Sequence, residues 1–180
     1  MGSGAPAGGA GIVPGSYYGY APEPLEVSFE CEVRRDFLQG TAIRKKVAIR
    51  YRGPYGEGII PLLLIVPVNI AGPVPVFLLI NNREASDPEL IATSPFWPAK
   101  EIIARGYAAA VFHVNDVDPD CHDGFRNGLH GLLEAGASQT RAGNAWGTIA
   151  AWAWGASRVM DYFETDEHMD SKRVAVVGHS

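Results

Sequence analysis

The sequence predicts an α/β fold, a mainly parallel, doubly wound sheet that opens with an antiparallel N-terminal hairpin. Three observations predict it. Two early segments alternate apolar and polar residues, several later segments are nearly continuous apolar runs, and stretches with helical periodicity separate those runs. Alternation with period two is what a strand with one solvated face requires, whereas an uninterrupted apolar run suits a strand covered on both faces. Covered strands separated by helices imply parallel pairing through crossovers. The 180 residues suffice for one domain with its own core, and 47% hydrophobic with 10% aromatic residues is globular composition.

The chain begins MGSGAPAGGAGIVPGS, so residues 1–19 are expected to be a flexible Gly/Ala/Pro-rich lead-in and residues 20–180 an incomplete domain. That lead-in has neither a charged n-region nor an apolar h-region, and no signal peptide is read in it. Leu25 to Val33 (LEVSFECEV) and Ala42 to Tyr51 (AIRKKVAIRY) alternate and form the predicted hairpin. The second is expected to hold Lys45 and Arg50 in solvent. Gly53-Pro54-Tyr55-Gly56 is a turn signal.

Leu62 to Val66 (LLLIV) and Val74 to Ile80 (VPVFLLI) follow as covered strands. Ser94 caps a predicted helix over 95–104, with Phe96, Ile102 and Ile103 apolar and Gly106 at its end. Tyr107 to Val114 (YAAAVFHV) is a further covered strand, and residues 115–145 read as a loop rich in Asp, Asn and Gly. The longest helix starts near Ala145, with Trp146, Ile149, Ala153, Ala156, Met160 and Phe163 as its apolar stripe. Ala150, Ala151 and Gly155 allow that helix close approach to the sheet. Val174 to Val177 is the last strand.

A net charge of −5 offers no basic face for nucleic acid and no polybasic segment for a membrane, so neither is an expected partner. The longest apolar run, Ile59 to Ile70, is broken by Pro61, Pro67 and Asn69 and is too short to span a bilayer. Cys31 and Cys121 lack metal-type spacing and read as free thiols. No cofactor or metal is expected.

Three Gly-x-Ser tripeptides occur, at Gly136-Ser138, Gly155-Ser157 and Gly178-Ser180. A nucleophile elbow is Gly-x-Ser-x-Gly at a sharp strand-to-helix turn. Thr140 and Val159 stand where the first two would need their second Gly, and only Gly178-His179-Ser180 follows a β-branched strand. In the α/β-hydrolase topology the serine follows the fifth main strand. With Ile59 to Val66 as the second, Val74 to Ile80 as the third and Tyr107 to Val114 as the fourth, Arg173 to Val177 is the fifth, and both predicted helices fall in the required crossovers. The chain reads as the N-terminal part of that fold, with Ser180 as its catalytic residue.

The stretches FWPAKEIIARGYAAAVFHVNDVDPDCHDGFRNGLHG and GNAWGTIAAWAWGASRVMDYFETDEHMDSKRVAVVGHS resemble bacterial glucuronoyl esterase-like proteins of carbohydrate esterase family 15, whose relatives are often labelled acetylxylan esterases. The resemblance covers residues 20–180. It implies a serine esterase whose nucleophile, here Ser180, attacks a glucuronoyl ester on xylan, so that a carbohydrate ester is the expected substrate partner. It also implies an acid and a histidine later in the sequence, an arginine after the serine, and a secreted or periplasmic location.

All five histidines, His113, His122, His130, His168 and His179, precede Ser180, against the α/β-hydrolase order of serine, acid, histidine. None is assigned as the base: His113 reads as a satisfied core residue, His122 and His130 as solvated or loop-ordering residues. One oxyanion donor usually comes from the loop after the third main strand, here Asn81-Asn82-Arg83-Glu84, whose polar residues read otherwise as caps of the sheet and helix. Asp116, Asp118, Asp120 and Asp123 read as a loop ordered by Asx turns rather than a calcium site. Trp146, Trp152 and Trp154 read mostly as core.

Without a base and acid after Ser180, the 180 residues alone are expected to have negligible esterase activity. The fifth strand, central in this topology, is expected to leave an apolar surface and an unpaired edge that a complementary C-terminal fragment would cover. An acetylxylan esterase, a general carboxylesterase and a non-catalytic α/β binding module are the alternative readings.

Overall fold

The predicted hairpin forms from the alternating segments. In the computed structural model, which describes residues 19, 22–83, 94–134 and 141–178, β1 (Glu26–Asp36) pairs antiparallel with β2 (Ala42–Gly53). Residues 1–18 of the expected lead-in and Ser180 lie outside the described residues. Leu38 (φ 50°) and Gln39 (φ 59°) make the connecting turn left-handed, a conformation costing non-glycine residues roughly 1–2 kcal/mol each. Burial of Phe37 and a hydrogen bond from the Thr41 hydroxyl to the Leu38 carbonyl (2.7 Å) hold it. β1 is an edge strand guarded by charge: Glu26, Glu30 and Glu32 face Arg52, Arg50 and Arg44 of β2 at 2.9, 3.0 and 3.6 Å.

Four more strands complete the sheet. β3 (Gly56–Pro67) follows the turn at Pro54-Tyr55 and pairs antiparallel with β2 and with β5 (Ala108–His113). β4 (Val74–Asn81) lies parallel to β5 on one side and to β6 (Met169–Val177) on the other. The spatial order is β1-β2-β3-β5-β4-β6. The sheet is therefore mixed, parallel across β5-β4-β6, with antiparallel pairing that extends from the hairpin through β3. Ala108, Ala109 and Ala110 of β5 are all at most 1% exposed, as a strand covered on both faces requires.

β6 does not occupy the central place the topology gives it. It stands at the sheet margin because β4 is its one strand partner among the described residues, and Val176 is 59% exposed. The unpaired edge expected of these 180 residues is present.

Helices cover both faces. α1 (Ala99–Ala104) packs with Phe37, Leu63, Ile65, Leu79 and Val111. It is shorter than the predicted 95–104, because a residue preceding proline is driven out of the α region and Trp97 precedes Pro98. Ser94 instead closes a turn, its Oγ accepting from the Phe96 N–H at 3.2 Å. Gly106 (φ 83°) ends the helix as expected, its N–H bonded to the Ile103 carbonyl.

The loop expected over 115–145 contains a short helix, α2 (Gly128–Leu133). Its two glycines and six residues gave no periodic signal; burial of Leu129 and Leu133 stabilises it against the sheet. The Leu132 carbonyl receives the Tyr55 N–H at 3.2 Å and lies 2.2 Å from where a Cβ on Gly53 would stand, so that position must be glycine.

α3 (Thr148–Thr165) covers the opposite face through Ala151, Trp154, Gly155, Val159, Tyr162 and Phe163. The predicted stripe is rotated from this: Ile149 is 62% exposed, and only Phe163 belongs to both sets. Periodicity gives the spacing of a buried face, not its azimuth, and the larger aromatics at 154, 162 and 163 decide it. The expected close approach is present at Gly155, where a Cβ would meet Val117 Cγ2 at 2.7 Å.

Lys45, expected in solvent, is 6% exposed. It shares its face of β2 with Ile43, Val47, Ile49 and Tyr51, and its Nζ reaches both oxygens of Asp166, at 2.7 and 2.6 Å. Asp166 follows α3 and also accepts from the Tyr162 hydroxyl (2.7 Å) and the His168 N–H (3.1 Å). Arg50 is in solvent as expected. Burial opposes charge on Asp166, but Lys45, Tyr162 and the His168 N–H outweigh it and hold its carboxyl below the ordinary carboxylate value.

Removing one partner of such a pair leaves a buried charge, so Lys45→Met should lower stability by about 3 kcal/mol, with Lys45→Met/Asp166→Leu recovering part of the loss. A depressed folded-state pKa contributes stability that is present above about pH 4 and lost as pH falls through the folded value. The difference in unfolding free energy between the parent and Asp166→Asn should therefore shrink below about pH 4; thermal or denaturant melts across that range measure it. Gly155→Val should cost about 2 kcal/mol by overpacking, partly restored by Val117→Ala in the same chain.

Candidate active site

Parallel strands bring their C-terminal ends to one rim, and in open α/β sheets ligands bind outside those ends. Here β4, β5 and β6 converge. Asn81, last in β4, is level with His113, last in β5, and Leu79 is level with Val177, last in β6. Gly178 follows, and an added Cβ there would meet nothing within 4 Å. His179, Ser180 and Glu84 lie outside the described residues.

The loop after β4 is held by one side chain. Asn81 is 5% exposed, its Nδ2 donates to the Arg83 carbonyl and its Oδ1 accepts from the Arg83 N–H, both at 3.0 Å. The Arg83 guanidinium then lies over the Phe96 ring, 4.0 Å from its centroid. Phe96 is itself fixed by Ser94, so the turn before α1 braces the loop from the other side.

Beside Asn81, His113 ends β5. Its Nδ1 accepts the Asn115 N–H at 3.1 Å, which places the proton of the neutral ring on Nε2. His113 is half-buried rather than fully satisfied: Nε2 is enclosed and has no partner among the described residues. Asn81, His113 and Asp116 line a cavity of about 760 Å³ that extends along Ile59, Pro61 and Leu63 on the sheet face not covered by α3.

The β5–α3 connection is built around His130, which is fully buried and orders the loop, the second of the two roles expected of it. Its Nδ1 lies 2.9 Å from Asp118 Oδ1 and its Nε2 3.3 Å from the Trp146 carbonyl, with the ring stacked on Trp146 at 4.1 Å between centroids. Trp152 Nε1 donates to the Asp118 carbonyl at 2.9 Å. Arg141 binds Glu134 Oε2 (2.6 Å) and the Trp146 carbonyl, and Trp146 Nε1 donates to Glu134. The sequence offered His130 and Asp118 only as polar loop residues; the His130 ring is enclosed between Phe125, 4.7 Å away between centroids, and Trp146.

The remaining candidates separate. Asp123 makes the expected Asx turn, accepting the Phe125 N–H at 2.8 Å. Among the described residues no three His, Cys, Asp or Glu side chains gather to hold a metal ion. Trp146 and Trp154 are buried core, as expected. His122 is exposed, and His168 lies beside Asp166 and Lys45 at the start of β6, away from the rim. Ser157 is inside α3, its hydroxyl bonded to the Ala153 carbonyl at 3.1 Å, so Gly155-Ala156-Ser157 is no elbow. Gly136-Ala137-Ser138 lies outside the described residues. Cys31 and Cys121 are both free.

Comparison with known proteins agrees with this layout. The family model for glucuronyl esterases of fungi matches residues 64–180. The carbohydrate esterase MZ0003, from an unknown prokaryotic organism, is 32% identical over 193 aligned positions, covering 91% of this chain and 44% of that protein. The glucuronoyl esterase from Solibacter usitatus superposes with a TM-score of 0.77 at 30% identity, over 91% of this chain and 48% of that one. A promiscuous CE15 esterase from the marine bacterial metagenome gives 0.68 at 31% identity, over 92% and 49%. The chain thus spans about half the length of the relatives it matches. With the strand order and the converging strand ends, the match over residues 64–180 means that this chain belongs to the glucuronyl esterase family.

Proposed function

We propose that the protein carrying this chain is a serine carboxylic-ester hydrolase of the glucuronoyl esterase type, acting on esters between xylan-borne glucuronic acid and lignin alcohols, with Ser180 as nucleophile. One observation carries the reading: β6 lies parallel to and beside β4, ending level with Leu79, so that the chain leaves β6 next to the Asn81 loop. That is the relation a nucleophile strand and an oxyanion loop require.

The chemistry follows from the parts. A base takes the Ser180 hydroxyl proton as Oγ attacks the ester carbonyl carbon. The carbonyl oxygen gains the negative charge, which a backbone N–H of the residue after Ser180 and one from the β4 loop would stabilise. The intermediate collapses with proton transfer to the departing alcohol, and water hydrolyses the acyl-serine to free the uronic acid and regenerate Ser180. The described histidines leave the base unassigned: His113 Nδ1 and both nitrogens of His130 are engaged, and His168 pairs with Asp166.

Residues 20–180 would then be part of one α/β-hydrolase domain, with residues 1–19 a lead-in. The open β6 edge and exposed Val176 favour a complementary segment of the same domain as partner. A polymeric wall substrate favours a location outside the cytoplasm. No helix among the described residues is long and apolar enough to cross a membrane.

Ser180→Ala in the product of the whole encoding gene should lower kcat on an aromatic ester of glucuronic acid by at least about 10³-fold, with the fold unchanged. Turnover unaffected by that substitution would exclude Ser180. The 180 residues expressed alone should show no Ser180-dependent turnover.

A further inference from the structure

Among the described residues, three of the four non-glycine positions with positive φ stand at the end of the sheet opposite the rim: Leu38 (50°), Gln39 (59°) and Asn69 (65°). Asparagine accepts that conformation readily, whereas leucine and glutamine adopt it at a cost, and such strain collects at ligand-holding sites. Leu38 answers to packing, since it lies against the core that contains Phe37 and Ile103. Gln39 does not: its side chain is exposed and meets no hydrogen-bond partner among the described residues. All three line one cavity of about 640 Å³, together with Ile70, Lys100 and Ile103. That volume is within the range of small-ligand pockets.

The cavity is preformed, because its walls are tied to one another. The Val68 N–H donates to the Thr41 carbonyl at 3.1 Å and joins the β1–β2 turn to the β3–β4 connection. Ile70 Cδ1 lies 3.5 Å from where a Cβ on Gly106 would stand, which seats that connection on the end of α1. The lining also has a definite chemistry. Gln39 and Asn69 present exposed amides, each offering donors and an acceptor, as paired sugar hydroxyls require. Leu38, Ile70 and Ile103 supply an apolar surface for the C–H face of a sugar ring. Lys100 is exposed and has no ion-pair partner among the described residues, and no carboxylate among them lines the cavity.

We propose that this cavity is a second, non-catalytic binding site for an oligosaccharide that carries a uronic acid. Lys100 pairs with the carboxylate, and the Gln39 and Asn69 amides bond the ring hydroxyls. The choice of a uronate among small organic acids rests on the esterase reading. The eight residues of β4 separate the cavity from the Asn81 rim by about 25 Å, so an occupant there holds the polymer without touching the ester chemistry.

The test uses the product of the whole encoding gene and titration calorimetry with two probes, a xylo-oligosaccharide bearing free glucuronic acid and the same oligosaccharide without it. The parent should bind the acidic probe more tightly, and added salt should weaken that preference. Lys100→Ala should raise the Kd of the acidic probe about fivefold and leave that of the neutral probe unchanged. Gly at position 39 relieves the left-handed backbone, so Gln39→Gly should raise the melting temperature. The same variant should nevertheless weaken both probes by about threefold or more, because a hydrogen bond to the sugar is lost. Turnover of a soluble aromatic ester of glucuronic acid should stay within about twofold of the parent in both variants, since neither residue is at the rim. A parent that binds neither probe, or binds the two equally, would overturn the site. Unchanged binding in either variant would do the same, and so would a loss of turnover in step with the loss of binding. A parent without esterase activity that still shows Lys100-dependent binding would sink the esterase reading and leave this site standing.

Discussion

The ladder between β4 and its two parallel neighbours is the constraint from which the arrangement of the rim follows. Backbone pairing leaves no freedom in level: once Leu79 faces Val177 and Asn81 faces His113, the three chain exits have fixed heights relative to one another. Everything polar at the rim, the Asn81 clamp, the His113–Asn115 contact and the start of the β5–α3 connection, is attached to those exits. A one-residue slip would also turn every side chain of β6 to the other face. The packing of Val174 with the α3-side core and Val177 with the α1-side core resists it.

The two ends of the sheet are stabilised by different physics. At the rim, local hydrogen bonds between neutral groups shape the loops. At the opposite end, Lys45 and Asp166 join β2 to the junction of α3 and β6 through a buried ion pair with the Tyr162 hydroxyl as third partner. The charged surface pairs of β1 are exposed and contribute little; their value lies in discouraging edge-to-edge association.

Much of this was legible in the sequence because period and breakers carry it. Alternation gave the hairpin, continuous apolar runs gave β3, β4 and β5, and Gly106 gave the end of α1. The failures share a cause. Lys45 was read by its charge although the alternation already placed it on the face of Val47 and Ile49. For His130 the sequence left two roles open, solvated or loop-ordering, and its neighbours in space, Trp146 and Phe125, decide for the second. The α3 stripe had the right spacing on the wrong side. For Lys45 the deciding partner, Asp166, lies far along the chain, and for the α3 stripe it is the seating of Trp154, Tyr162 and Phe163 against the sheet. The Asn81 clamp is local, and the Asn-Asn-Arg run after an apolar strand was its visible trace.

The tight seat of Gly155 against Val117 has a mechanical consequence. A helix whose backbone rests on a branched side chain cannot roll or slide without opening a void on one side and a clash on the other. α3 is therefore a stiff spine behind the rim, and any widening there must come from the connections on the rim, not from the layers beneath.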